Sequence, residues 1–111
     1  MNMNEYQKHA LRFEGGMDKT LPRVLNGALG LSGEVGEFND LLKKHYYQGH
    51  PLDRDHLAKE LGDVLWYLAL AADTIGYDLD TIASMNVRKL EARYPNGFES
   101  DKSLNRVAGD V

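Results

Sequence analysis

Two pairs of acidic residues have the spacing that places carboxylates on one face of a helix. Glu34 and Glu37 form the first pair, and Glu60 and Asp63 form the second, each three residues apart. At about 100° per residue, Glu34 and Glu60 fall inside the apolar arcs of their helices. Carboxylates that face a helical core lose hydration and repel one another. A divalent cation is the simplest compensation, and oxygen ligands without Cys or His favour a hard ion, Mg²⁺ or Mn²⁺.

A second polar group interrupts the apolar face of a later helix. Asn86, Lys89 and Arg93 recur at spacings of three and four, on the side that also carries Ile82 and Leu90. Beside a metal ion, Lys and Arg make a site suited to phosphate, because they neutralise the charge that develops on phosphate oxygens. The alternative is that Lys89 and Arg93 form ion pairs with the core acids and bind no substrate.

Four helices are expected to position these residues. Apolar positions with a 3.6-residue period, together with glycine and proline stop signals, separate the elements. They predict helices over about residues 3–14, 22–46, 55–75 and 79–93. No strand pattern is present. We therefore expect an all-α fold, a four-helix bundle formed by residues 1–98, followed by a polar and loose tail over residues 99–111.

The second helix holds a glycine at every third position from Gly27 to Gly36. Each glycine costs about 1 kcal/mol relative to alanine inside a helix, so something must compensate. Gly27 and Gly30 share a face with Glu34 and Glu37, where missing side chains permit the close approach of another helix or of a ligand. A break in the helix near these glycines is a third alternative.

The third helix is apolar on nearly all sides. Between Leu61 and Ala72 its only charged residue is Asp63. Such a helix lies at the centre of a bundle or at a subunit interface. Because a chain of 111 residues has a modest core, we expect a homodimer or homotetramer.

Composition excludes several classes of protein. With 42% hydrophobic and 27% charged residues, the chain has the profile of a globular domain. Its net charge is −4 and it has no basic block, so no nucleic acid polymer is expected as a partner. The absence of cysteine removes disulfides and thiolate sites. No N-terminal apolar segment and no run of 18 apolar residues is present, so we expect a cytoplasmic protein without a membrane partner.

Three histidines, His45, His50 and His56, lie in or near the loop between the second and third helices. No two of them have the i, i+4 spacing with which histidines bind zinc on a helix. We interpret them as solvated side chains rather than as metal ligands.

Several segments, beyond the acidic residues alone, resemble the MazG-type nucleotide pyrophosphohydrolases of the all-α NTP pyrophosphatase superfamily. The pattern Glu-x-x-Glu, 22 residues, Glu-x-x-Asp is similar to the signature of that family. The resemblance extends over about residues 4–98, and its closest segments are residues 4–7, 30–37, 59–67 and 86–98. The last of these segments carries Lys89 and Arg93, and it makes the resemblance specific.

The resemblance implies an Mg²⁺-dependent enzyme, with Mn²⁺ as an alternative ion, that hydrolyses nucleoside triphosphates to monophosphate and pyrophosphate. It implies dimers or tetramers of helical bundles. The metal ligands that it implies are Glu34, Glu37, Glu60 and Asp63. Water would attack the α-phosphorus, and Glu37, at the edge of its cluster, is the candidate to orient or deprotonate that water.

The remaining site residues follow from the same resemblance. Lys89 and Arg93 would contact the phosphates and contribute to activity, and Asn86 would contact the substrate or cap a core acid. Tyr6, Gln7 and Phe13 are candidates for a base pocket, although packing is the favoured role of the two aromatic residues.

Two other interpretations remain open at this point. A dUTPase-like or phosphoribosyl-ATP pyrophosphohydrolase activity would use a similar acidic helical site. A helical interaction module that binds a structural metal would use the acids without catalysis. A panel of nucleotides, assayed for pyrophosphate release in the presence of Mg²⁺, distinguishes the three.

Overall fold

Short polar side chains cap the first turn of three of the five helices in this computed structural model. Asn2, Asp53 and Asp78 each accept a hydrogen bond from the backbone N–H three residues later, which satisfies a donor that the first turn leaves free. Gly49, with a φ of 74°, ends the second helix in the left-handed conformation that glycine adopts readily. The structure describes all 111 residues. Its helices are α1 (Met3–Ala10), α2 (Arg23–Gln48), α3 (Arg54–Thr74), α4 (Leu79–Arg93) and α5 (Ser100–Leu104), with a 3₁₀ turn over Leu11–Phe13.

The all-α prediction is confirmed, because the chain forms helices and no strand. Four of the five helices correspond to those expected from the sequence. The first one ends at Ala10 and continues as a 3₁₀ turn, so it is shorter than predicted. None of the helices has the length and apolar character that are needed to cross a lipid bilayer.

The helices α2 and α3 pack closely, and two glycines set the distance between them. A Cβ atom at Gly27 would lie 3.1 Å from the Cα of Ala71, and one at Gly30 would overlap the ring of Tyr67. The expectation of close helix packing at these glycines is therefore confirmed. A break in α2 is not observed, because the helix is continuous from Arg23 to Gln48.

A buried glutamine connects α1 to the end of α3 and the start of α4. The Gln7 amide donates to the carbonyl oxygens of Ala69 and Tyr77, at 3.1 and 3.2 Å, and accepts from the backbone N–H of Leu79 at 3.0 Å. Trp66 donates its indole N–H to the carbonyl oxygen of Ala10 at 2.8 Å. These contacts surround the small buried core of the chain, which includes Ala10, Ala69, Ala72 and Leu79.

Residues 99–111, which the sequence predicted as a polar tail, contain two structural features. They contain α5, and Asp110 forms a two-pronged ion pair with Arg93. The pair returns the end of the segment to the last turn of α4. Periodicity could not predict this contact, because a tertiary ion pair between isolated residues leaves no repeat in the sequence.

The single chain leaves much apolar surface uncovered. Only seven of its 111 residues are buried, and its radius of gyration is 17.3 Å, compared with about 13 Å for a compact domain of this length. On α3, the side chains of Leu61, Leu68 and Ile75 are exposed to 51%, 38% and 61%. From Ala83 to Ala92, every residue of α4 is exposed.

Candidate metal centre

Three carboxylates converge where α2 and α3 face each other. One carboxylate oxygen from each of Glu34, Glu37 and Glu60 lies within 4.8 Å of the others. The register set by the glycines accounts for this meeting. Gly30 faces Tyr67, and one helical turn further along the antiparallel pair, the acids of α2 come opposite those of α3.

Burial and the charges of neighbouring carboxylates both act on the pKa of Glu34, which is half-buried. The pKa of its carboxyl is raised above the ordinary value, first by burial and then by the charges of Asp63 and Glu37, with a further contribution from Glu60. An acid in this position resists ionisation unless a positive charge compensates it. The repulsion between these carboxylates that the sequence predicted is thus present in the folded chain.

Glu60 has a buried carboxylate oxygen without a hydrogen-bond partner. Its side chain is 13% exposed, and its Oε1 atom lies 3.3 Å from Nε2 of His56. Its Oε2 atom is buried and has no hydrogen-bond partner, although such an atom ordinarily has one. An unpartnered carboxylate oxygen beside two further carboxylates fits a hard divalent cation, which prefers oxygen ligands.

Asp63 lies close to this cluster but outside the group of three. Its charge raises the pKa of Glu34 and, after burial, that of Tyr6 on α1. Asp63 is exposed, and its charge acts on groups of both α1 and α2. Its role as a fourth metal ligand stays a prediction.

Within one chain, neither Lys89 nor Arg93 forms an ion pair with the acids. Asn86 and Lys89 are exposed. Arg93 pairs with Asp110 rather than with Glu34 or Glu60, so the alternative in which this arginine neutralises the core acids has no support. The roles of all three residues in substrate binding stay predictions.

The sequence analysis missed the position of His56. This histidine lies in the first turn of α3, and its ring reaches Glu60 one turn later. The i, i+4 spacing of His56 and Glu60 was the available signal, but histidines were compared only with one another. His45 lies in the last turn of α2, and its Nδ1 atom lies 2.7 Å from the carbonyl oxygen of His50 in the α2–α3 turn.

A cavity of about 490 Å³ opens between α2, α3 and the loop that follows the 3₁₀ turn, and none of the four acids lines it. Its aromatic walls are Phe13, Trp66 and Tyr67, and Asn26 supplies an amide. Tyr67 lies one helical turn after Asp63, and Asn26 lies about 12 Å along α2 from Glu34.

The three residues considered for a base pocket have different environments. Phe13 lines the cavity. Tyr6 packs against the buried core, and the amide of Gln7 is fully used in contacts with the backbone. Only Phe13 of the three therefore borders a space that a ligand fits.

Comparison with known proteins agrees with this arrangement. Residues 25–98 match the family described as the MazG nucleotide pyrophosphohydrolase domain. The chain is also 35% identical over 82 residues to the "Gene 37 protein" of Mycobacterium phage L5, in an alignment that covers 70% of this chain and 72% of the phage protein. No solved structure gives a significant match. Since the family match includes all four acids and most of the described helices, this chain belongs to the MazG nucleotide pyrophosphohydrolase domain family.

Proposed function

We propose that this chain is an Mg²⁺-dependent nucleoside triphosphate pyrophosphohydrolase, which hydrolyses (d)NTP to (d)NMP and pyrophosphate. The observation that carries the proposal is the convergence of Glu34, Glu37 and Glu60, with a buried oxygen of Glu60 left without a partner, inside a MazG domain. Asp63 completes the proposed ligand set, and its charge already acts on Glu34. When bound, Mg²⁺ supplies Lewis acidity toward the phosphate oxygens and the attacking water, and Mn²⁺ is a chemically similar substitute.

The proposed hydrolysis step needs a group that accepts a proton from the attacking water. Glu37 is the exposed member of the three converging carboxylates, and we assign it to accept a proton from the attacking water. The water oxygen forms a bond to the α-phosphorus, and the bond from that phosphorus to the bridging oxygen of the β-phosphate breaks. Pyrophosphate leaves with the electron pair of the broken bond, while the water proton passes to Glu37.

The cavity between α2, α3 and the loop after the 3₁₀ turn is the proposed site of the nucleobase. Its aromatic residues, Phe13, Trp66 and Tyr67, suit the stacking of a planar ring, and Asn26 offers a donor and an acceptor to the ring edge. Its volume falls within the range of small-molecule sites. The distance of about 12 Å from Asn26 to Glu34 along α2 suits an extended nucleotide whose phosphates reach the acids.

Lys89, Arg93 and Asn86 are the proposed contacts to the substrate phosphates. In one chain neither Lys89 nor Arg93 forms an ion pair with the acids, and α4 is exposed over most of its length. A homodimer or homotetramer would cover the exposed apolar surface of α3 and α4. We propose such an assembly as the active form.

The direct test is pyrophosphate release from a panel of nucleotides, with and without Mg²⁺. The proposal requires monophosphate and pyrophosphate as products, with no turnover in a chelator. Release of orthophosphate and a nucleoside diphosphate would contradict it. Turnover confined to dUTP or to phosphoribosyl-ATP would identify one of the narrower activities, and metal binding without any turnover would indicate a non-catalytic module.

A further inference from the structure

The ion pair between Arg93 and Asp110 is one of the best enclosed polar contacts in the chain. Nε and Nη2 of Arg93 donate to the two carboxylate oxygens of Asp110, at 2.7 and 2.6 Å. The two side chains are only 8% and 9% exposed. This fork-to-fork arrangement is the one in which arginine also binds a phosphate group.

The surroundings of Asp110 carry an excess of positive charge. Arg93, Arg106 and Lys89 all lower the pKa of the Asp110 carboxyl, with Arg93 as the main cause. Arg106 and Lys102 line the same small cavity as Arg93 and Asp110, which has a volume of about 140 Å³. One carboxylate therefore faces several cations, and a group with more negative charge would be attracted more strongly to the same place.

The segment that carries Asp110 is lightly attached to the rest of the chain. From Asn105 to Gly109 every residue is exposed, and α5 has only five residues. Release of Asp110 would therefore break few other contacts. A charge-assisted pair held by a weakly packed segment is suited to exchange with a competing anion.

We infer that Asp110 occupies the phosphate site formed by Arg93, Lys89 and Arg106, and that residues 105–111 act as a latch which a polyphosphate displaces. The inference rests on the proposed role of Arg93 and Lys89 in binding substrate. While the latch is closed, the carboxylate occupies the Nε–Nη2 edge of the Arg93 guanidinium. The apparent affinity for substrate is then the intrinsic affinity multiplied by the fraction of molecules in which the latch is open.

The first experiment compares the kinetics of Asp110→Asn with those of the wild type. The neutral amide keeps the shape of the side chain and removes the charge, so KM for a nucleoside triphosphate should fall by about fivefold or more. Glu99→Gln is the matched control, because Glu99 precedes α5, lies outside residues 105–111, and makes no ion pair or side-chain cap. Equal KM values for the two variants would overturn the latch.

The second experiment uses the wild-type chain and does not depend on catalysis or on the folding of a variant. Tripolyphosphate is titrated in a chelator while the backbone amide signals of residues 105–111 are followed by NMR. Movement of these signals toward disordered positions, saturating with tripolyphosphate, supports the latch. No binding, or binding that leaves these signals unchanged, rejects it. An absence of turnover with every nucleotide would reject the proposed function alone, because this displacement is measured without hydrolysis.

Discussion

At the scale of single residues, the carboxylates of the candidate metal centre have no positively charged Lys or Arg partner within the chain. Burial and neighbouring negative charges raise the pKa of Glu34. Glu60 has one buried carboxylate oxygen without a hydrogen-bond partner. No Lys or Arg within the chain forms an ion pair with either acid. A folded chain that tolerates such repulsion is expected to relieve it by binding a cation.

Glu60→Gln tests this relation directly. The amide removes one ligand charge and one oxygen, so Mg²⁺ affinity should fall by at least about tenfold and turnover should be nearly lost. Isothermal titration with Mg²⁺ and thermal unfolding measure the effect. At a hundred times its Kd, Mg²⁺ should stabilise the wild type by about 2.7 kcal/mol, and the variant should lose most of this gain.

Two further variants make the Glu60→Gln result interpretable. Asp55→Asn is the control, because Asp55 is an exposed acid on the same helix and forms no ion pair. Asp63→Asn decides whether Asp63 is a fourth ligand. If the Glu60→Gln and Asp55→Asn variants bind Mg²⁺ equally well, the assignment of Glu60 as a metal ligand is wrong.

A second prediction at this scale concerns the pH dependence of the Arg93–Asp110 pair. Arg93 lowers the pKa of Asp110 in the folded chain, so the pair stabilises the fold above the unfolded pKa of about 3.9. This contribution disappears as the pH falls through the lowered folded pKa. The difference in unfolding free energy between the wild type and Asp110→Asn should therefore be constant above about pH 5 and shrink below pH 4. A difference that persists unchanged at pH 2.5 would contradict the assignment.

The sequence located these residues more successfully than it identified their partners. Helical angles placed Glu34 and Glu60 on inward faces, and both are half-buried. The same angles placed Arg93 on an inward face, but its partner Asp110 lies 17 residues later. Periodicity describes which side of one helix a residue occupies. It contains no information about a carboxylate that arrives from an irregular segment.

At the scale of elements, the α2–α3 pair is the part of the fold that the sequence predicted best. Both helices were expected within a few residues of their observed ends, because their periodic segments are long and are bounded by Pro22, Gly49 and Gly76. The glycine series indicated close packing, and Gly27 and Gly30 confirm it. The role of Gln7 could not be predicted, since a buried glutamine in α1 has the same sequence appearance as an exposed one.

Two glycine substitutions on α2 should have opposite effects on stability. Gly30→Ala places a methyl group in the ring of Tyr67, and the displaced ring should reduce the unfolding free energy by about 1–3 kcal/mol. Gly33→Ala meets no atom within 4 Å, so it should stabilise the helix by up to about 1 kcal/mol. Urea unfolding of the two variants measures the difference. Because Tyr67 also lines the cavity, only Gly30→Ala should change KM.

The buried glutamine provides a second prediction for the elements. Gln7→Ala leaves the Leu79 N–H and two carbonyl groups without their side-chain partner. Each unsatisfied buried group costs about 1–3 kcal/mol, so the variant should lose about 2–4 kcal/mol of unfolding free energy. Lys8→Ala, at the exposed neighbouring position, is the control. Similar unfolding curves for both variants would show that the contacts of Gln7 are dispensable.

At the scale of the whole molecule, the single chain resembles part of a larger assembly. Its radius of gyration of 17.3 Å exceeds the value of about 13 Å expected for a compact domain. Leu61, Leu68 and Ile75 repeat every seven residues and form an exposed apolar stripe on α3. The sequence predicted an uncovered face on this helix, but it could not tell which side α1 and α2 leave free. Contiguous apolar surface of this kind marks an interaction site.

We expect the stripe to be buried against a second copy of the chain. Light scattering at micromolar concentration should give a mass of at least twice the 12.5 kDa of one chain. The double variant Leu68→Lys and Ile75→Lys introduces charges that cannot be desolvated without a partner, so it should lower the mass to that of the monomer. Tyr47→Ser, which removes an exposed aromatic residue at the end of α2, is the control and should leave the mass unchanged. A wild-type monomer at this concentration, or a double variant that remains associated, would show that the stripe is not the interface.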